Sequence, residues 1–222
     1  MVSNPSTQIR EYRDDLSPYL FHYTKGENAF KILSLIISDK KIKSQKGYIC
    51  LTEAPITTSL RMFDYMGKFP NPMYAPYGIG FKRDFLFNSG ARPVIYGTEE
   101  EIKKIPEEFK WRCLTLQPAS YDFSWLREWR IEGNEFDFST CSENIIVITP
   151  TQKELKELIT DYDFDVEFNY EHEIRSAIPS LVYYPKREFK GISLEEIQQT
   201  KYTSDRDISK EMDKQIINEP LG

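Results

Sequence analysis

Apolar residues in this chain recur at two spacings, one suited to strands and one to helices. They are dense in SPYLFHYT, between Pro18 and Gly26, and predict a short strand. Ala29, Phe30, Ile32, Leu33, Ile36 and Ile37 then follow a helical stripe. Thr24 and Glu27 ahead of it have the T-x-x-E spacing of a capping box, and the helix is expected to stop near the basic residues of SDKK. GYICLTEAP reads as a second strand ended by Pro55, TTSLRMFDYM as a short helix, and YGIGF as a strand weakened by two glycines. RPVIYG, WLREWRI and ENIIVITP predict further strands, with the acidic helical segment TEEEIKKIPEEFKW among them. Thr151 and Glu154 form a second capping box before the helix QKELKELITDY, and DVEFNYEHEI alternates with period two. No repeat is present. The order predicts an α+β fold, strands interrupted by short helices with two hairpin-like neighbours late in the chain, rather than a regular βαβ alternation.

The same pattern divides the chain. Residues 1–15 are polar and are expected to be a loose N-terminal arm, residues 16–190 a single α+β domain, and residues 191–222 a polar C-terminal helix and tail, poorly ordered from about 200.

Composition narrows the class. With 222 residues, 40% of them hydrophobic, the chain can bury a core without covalent staples, and 14 Tyr and 14 Phe favour a sheet-rich one. Three cysteines, odd in number and widely spaced, form neither a CxxC pair nor a ligand cluster and suggest a reducing compartment. The N-terminus lacks the apolar core of a signal peptide and no run is long enough to span a bilayer, so a cytoplasmic protein without a membrane partner is expected. The formal charge of −6 weighs against a general nucleic-acid coat, yet leaves room for an enzyme that grips a nucleotide in a local basic cleft.

Three segments offer chemistry. In a strand through His22-Tyr23-Thr24, His22 and Thr24 share one face while Phe21 and Tyr23 face the helix behind; His22 is then either delivered to a site or a satisfied structural histidine. In YICLTE, Tyr48, Cys50 and Thr52 share a face, offering small polar groups to a ligand or merely closing the strand, and Arg61 on the next helix either reaches a phosphate or is solvated. In FSWLREWRIEG, read as one strand, Trp125, Arg127 and Trp129 share a face opposite Leu126, Glu128 and Arg130. A carboxylate set among aromatics beside Arg130 could accept a hydrogen bond from a sugar hydroxyl or orient a nucleophile; the alternative is a plain cross-strand ion pair.

Other chemistries lack their motifs. His172, between Glu171 and Glu173, has too few partners for a zinc site, and YGIGF lacks the dinucleotide fingerprint. No G-x-S-x-G or Walker sequence occurs, and the spacing of Glu53, Asp64, Asp84 and Glu128 does not recommend a metal-dependent nuclease.

Taken together, LFHYTKGENAFKIL, YICLTEAP, YAPYGIGFKRDFLFNSGARPVIYG and FSWLREWRIEG, spanning about residues 17–150, resemble the AbiGi family of bacterial abortive-infection proteins. More distantly, their order is similar to the ADP-ribosyltransferase superfamily, including DarT-like toxins. The resemblance implies a split, mostly antiparallel sheet and an anti-phage effector using NAD to modify a macromolecule or nucleotide. It assigns the catalytic roles to Glu128 and His22, and places His22, Tyr23, Thr24, Thr52, Arg61 and Tyr77 around NAD, with Tyr48 and Tyr77 both open as the tyrosine that stacks on nicotinamide. Leu126 stands where arginine-modifying transferases carry a second glutamate, so arginine is not the expected acceptor. The AbiGi resemblance also implies an alternative, a non-catalytic antitoxin or regulatory subunit bound to a cognate partner. The negative charge suits docking to a basic toxin.

Overall fold

The strand expected at YLFHY forms near the centre of a seven-stranded sheet. A computed structural model describes residues 5–120, 122–171 and 176–218, so His172 and Glu173 lie outside the described residues. In chain order the elements are α1 (Pro5–Glu11), β1 (Tyr19–Tyr23), α2 (Ala29–Asp39), β2 (Lys41–Lys43), β3 (Tyr48–Thr52), α3 (Ile56–Met66), β4 (Gly78–Lys82) and α4 (Arg83–Asn88). There follow β5 (Arg92–Pro93), β6 (Ile95–Gly97), α5 (Glu99–Lys103), β7 (Cys113–Thr115), β8 (Glu128–Glu132), β9 (Glu135–Asp137), β10 (Ile145–Thr149) and α6 (Gln152–Ile159). The last are β11 (Thr160–Glu171), β12 (Ser176–Arg187), β13 (Lys190–Ser193), α7 (Leu194–Thr200) and α8 (Asp205–Met212).

The main sheet runs β13-β10-β4-β1-β3-β8-β5, antiparallel throughout except for the parallel β10–β13 pair. The fold is α+β, with a mostly antiparallel sheet and short helices. Its neighbours are not equally joined. β1 and β4 pair through five residues, from Tyr19↔Lys82 to Tyr23↔Gly78, whereas β1 and β3 share a single pair, Phe21↔Thr52. Past that pair the two strands part.

Both faces of the sheet are covered. Leu20, Ile49, Leu51, Ile79 and Trp129 pack on one face with Leu33, Ile36 and Ile37 of α2. Tyr19, Phe21, Ile146 and Ile148 pack on the other with Phe63 of α3 and Ile208 and Met212 of α8. The helix behind β1 therefore covers the side of Leu20, not that of Phe21 and Tyr23 as period two and proximity suggested. The capping box expected at Thr24 and Glu27 is not formed either. Asn28 precedes α2 without a side-chain cap, and the Thr24 hydroxyl donates to carbonyls.

The glycines of YGIGF have a packing reason. Gly78 and Gly80 stand opposite Tyr23 and Phe21, whose rings lie across β4. A Cβ on Gly80 would come 2.7 Å from Phe21 ring carbons and 2.9 Å from Ile146 Cγ1, inside a buried site with no room to relax. Gly80→Ala is expected to lower stability by about 2–3 kcal/mol through overpacking. Urea denaturation checks this, and a midpoint equal to wild type refutes it.

The C-terminal segment is not a loose tail. Ile197, Ile208 and Met212 are fully buried, and Asp205 at the start of α8 reaches back to α3. Among the described residues of this stretch, many of the polar ones lie on the outer faces of two amphipathic helices, α7 and α8. The N-terminal arm is likewise tied down: Arg10 pairs with Glu53 and donates to the Ser17 carbonyl, and Arg206 of α8 bonds the Arg10 carbonyl. Between α6 and β13 the chain leaves the sheet as a long ribbon, β11 paired with β12 from Thr160↔Arg187 to Glu171↔Ser176. No helix among the described residues is long and apolar enough to cross a membrane.

Candidate functional site

Where β1 and β3 part, a cavity of about 560 Å³ opens, within the range of small-molecule sites. His22, Thr24, Thr52 and Glu128 all border it. Alternation alone would have kept the histidine and the acid apart. His22 pairs across β4 with core residue Ile79, while Glu128 stands opposite Thr52, itself paired with Phe21 of the other face. The gap between strands lets one cavity reach both.

The gap also sets the state of His22. Once β1 leaves β3, the Cys50 carbonyl lacks a strand partner, and the imidazole Nδ1 takes it at 2.9 Å. A carbonyl can only accept, so Nδ1 carries the proton. Burial pushes the imidazole below its ordinary pKa, against the opposing pull of that carbonyl. The ring is neutral at pH 7, and its Nε2 is an acceptor.

Glu128 opens β8, and the local chain differs from the single strand expected over Trp125–Ile131. Ser124–Leu126 form a 3₁₀ turn and Arg127 adopts the left-handed conformation, φ 47°, before β8 begins. Arg127 is held there by the Asp15 carbonyl and, at 2.9 Å, by the Asp15 carboxylate. The kink separates the two tryptophans. Trp125 is 44% exposed and meets Tyr74 edge-on, whereas Trp129 enters the core and its indole N–H donates to Glu53 at 3.0 Å. They do not sandwich Glu128. The carboxylate instead accepts from Arg130 Nε at 2.7 Å, in an ion pair with side chains 11% and 5% exposed. So the ion-pair alternative is realised, and the cavity lies beside it.

Arg130 is itself fixed. Its Nη1 donates to the carbonyls of Trp111 and Cys113, at 2.7 and 3.1 Å, and its guanidinium lies 4.1 Å from the centre of the Tyr48 ring. Tyr48 and Cys50 border the cavity from β3. Burial first, then the charge of Glu128, pushes the Cys50 thiol up to about 11, so it is protonated at neutral pH and not a nucleophile there. In a Cys113→Ser/Cys141→Ser background, alkylation of Cys50 is expected to rise with pH until about 11, and to shift to lower pH in Glu128→Gln. A plateau near pH 8.5 would contradict the first point.

The other expected site residues divide. The Thr52 hydroxyl donates to the Leu126 carbonyl and accepts from Ala54 N–H at 3.1 Å, so it holds the turn before Glu128. Thr24 is buried, its hydroxyl donating to the carbonyls of Tyr77 and Ala29. Tyr23 borders the cavity, but its ring is committed to the second core, stacked on Phe21 and edge-on to Phe63. Tyr77 lies elsewhere: its hydroxyl donates to Glu154 at 2.7 Å and its ring meets Phe30, so of the two candidate stacking tyrosines only Tyr48 borders the cavity. Arg61 is exposed on α3 and does not border it.

Charge around the cavity opposes that of the chain. Lys25, Lys43, Lys46 and Arg130 border it with one carboxylate, Glu128, in a protein of net charge −6. The three lysines were not foreseen; the sequence signal for two of them was KIKSQK, in which Lys43 and Lys46 bracket the β2–β3 turn. Such a rim attracts anionic ligands. Glu53 is engaged by Arg10 and Trp129, and among the described residues no three His, Cys, Asp or Glu side chains stand together as a metal site. Comparison with models of known families, with curated proteins and with solved structures finds no match to this chain.

Proposed function

We propose that this cavity binds NAD and that the protein is an ADP-ribosyltransferase-like toxin effector of anti-phage defence, acting on a macromolecule or nucleotide other than an arginine side chain. The observation that carries the reading is the convergence of a neutral histidine and a paired carboxylate on one cavity with a basic rim, in an otherwise acidic chain. The residues suit the ligand. Lys43, Lys46 and Arg130 supply positive charge for a pyrophosphate, His22 Nε2 accepts from a ribose hydroxyl, and the Tyr48 ring offers a flat face to a base.

Breaking the nicotinamide–ribose bond builds positive charge on the sugar, as in glycoside cleavage. This chain's contribution is electrostatic and positional. Glu128 presents a second carboxylate oxygen beyond the one bound by Arg130, able to accept a ribose hydroxyl and to stabilise the developing charge. Arg130, Thr52 and the Arg127–Asp15 contact hold that oxygen still, which is the preorganisation such stabilisation requires. The test is to incubate wild type and Glu128→Ala with NAD and cell lysate and to express each in cells. Nicotinamide release and a growth defect, both dependent on Glu128, are expected; a folded protein showing neither overturns the reading.

A further inference from the structure

We infer that the β11–β12 ribbon is a self-association surface, through which two copies of this chain pair face to face. From Asp161 to Phe168 the sequence alternates acidic and apolar residues, so β11 turns its apolar positions to one side. Register extends that side across both strands. Phe164 stands opposite Tyr183, Val166 opposite Leu181, Phe168 opposite Pro179 and Tyr162 opposite Pro185. Tyr162, Phe164, Val166, Phe168, Leu181 and Tyr183 are between 44% and 69% exposed. On the reverse side the Tyr184 hydroxyl is bound to Glu167 and Lys186 is paired with Asp161.

Three observations favour a second copy as the occupant. The first is area. Six such side chains present roughly 700 Å² of apolar surface per copy, at about 120 Å² each, close to the ~800 Å² that each partner contributes to a standard stable interface. The second is charge. Among the described residues this face carries no carboxylate, its one charged side chain being Arg187 at the base of the ribbon opposite Thr160, whereas the carboxylates lie on the reverse. Two chains of charge −6 can therefore meet here without setting carboxylates against each other. A basic partner would find nothing on this face to pair with.

The third is closure. A two-stranded ribbon is marginal alone, and among the described residues β11 and β12 pair only with each other. Pro179 and Pro185 withhold N–H donors from β12, which discourages strand addition at its edge and leaves the face as the surface to cover. A two-fold axis laying ribbon on ribbon covers both faces at once and leaves no further site for growth.

The experiment is sedimentation velocity with light scattering on the full chain across low to high micromolar concentration. Wild type is expected at twice the chain mass. Phe164→Lys and Phe168→Lys are each expected to raise the dimer dissociation constant ~30-fold or more, the size of an interface hot spot. Glu167→Lys, on the reverse face, is expected to leave it within a few-fold. Circular dichroism matching wild type establishes that the variants fold. A wild type that stays monomeric, including one that floats with neutral lipid vesicles instead, overturns the inference. So does a dimer indifferent to both phenylalanine substitutions.

Discussion

With the proposed NAD-cleaving activity, Glu128→Gln is expected to lower the rate of nicotinamide release by about 10²–10⁴-fold while leaving KM within a few-fold. The substitution keeps the shape of the side chain and removes its charge, so the loss falls on the step in which the sugar becomes positive. In the proposed reading the larger part of binding falls to the basic rim and His22, which also border the cavity. The cavity wall is expected to survive, because Arg130 keeps the carbonyls of Trp111 and Cys113 and its place on the Tyr48 ring without Glu128. Steady-state kinetics with a folded variant decides the matter. A turnover unchanged from wild type removes Glu128 from the chemistry, and a rise in KM alone makes it a binding residue.

Asp205→Ala is expected to destabilise the protein by about 3 kcal/mol, a fall in Tm of about 6–12 °C for a chain of this size. Asp205 caps α3 from a distance of about 150 residues in sequence. Its Oδ2 accepts from Ile56 N–H at 3.0 Å, and its Oδ1 from the Thr57 N–H and hydroxyl at 3.1 and 3.0 Å, doing for α3 what Pro55 at the N-cap position lacks the side chain to do. Alanine strands these buried donors.

The pH dependence has a definite sign. Burial, the dominant influence, raises the carboxyl above its ordinary value of 3.8, against the pull of Ser17, Thr57 and Ile56. The folded state therefore holds the proton to higher pH than the unfolded state. The contribution of Asp205 to stability is greatest below 3.8 and falls as pH rises through the folded value. The stability gap between wild type and Asp205→Ala should be wider near pH 4 than at pH 7. A gap that widens toward neutral pH would mean the carboxyl is instead held low.

Most of the secondary structure was legible because it rests on spacings a few residues long. The strand at YLFHY, the buried strand ENIIVITP, the Thr151 cap and the alternation in DVEFNYE all express period two, period 3.6 or a local hydrogen bond. The helix at SLEEIQQ forms as α7, but α8 was misread as loose tail because charge on its outer face masks a narrow apolar stripe of Ile208 and Met212. The Trp125–Ile131 segment was misread for a different reason. Nothing local predicts a left-handed Arg127; the conformation is held by Asp15, 112 residues away.

The sequence by itself determined which side chains each strand presents together: Tyr48, Cys50 and Thr52 on β3, and Glu128 with Arg130 on β8. Only the tertiary structure decided that His22 meets them, since alternation assigns it to the opposite face and the parting of β1 from β3 is a property of register across the sheet. The same holds for the placing of Tyr48 rather than Tyr77 beside the cavity, and for the capping of α3 by Asp205. Local periodicity acts through the geometry of one backbone segment. Contacts between distant segments depend on how whole elements pack, and no short-range pattern encodes them.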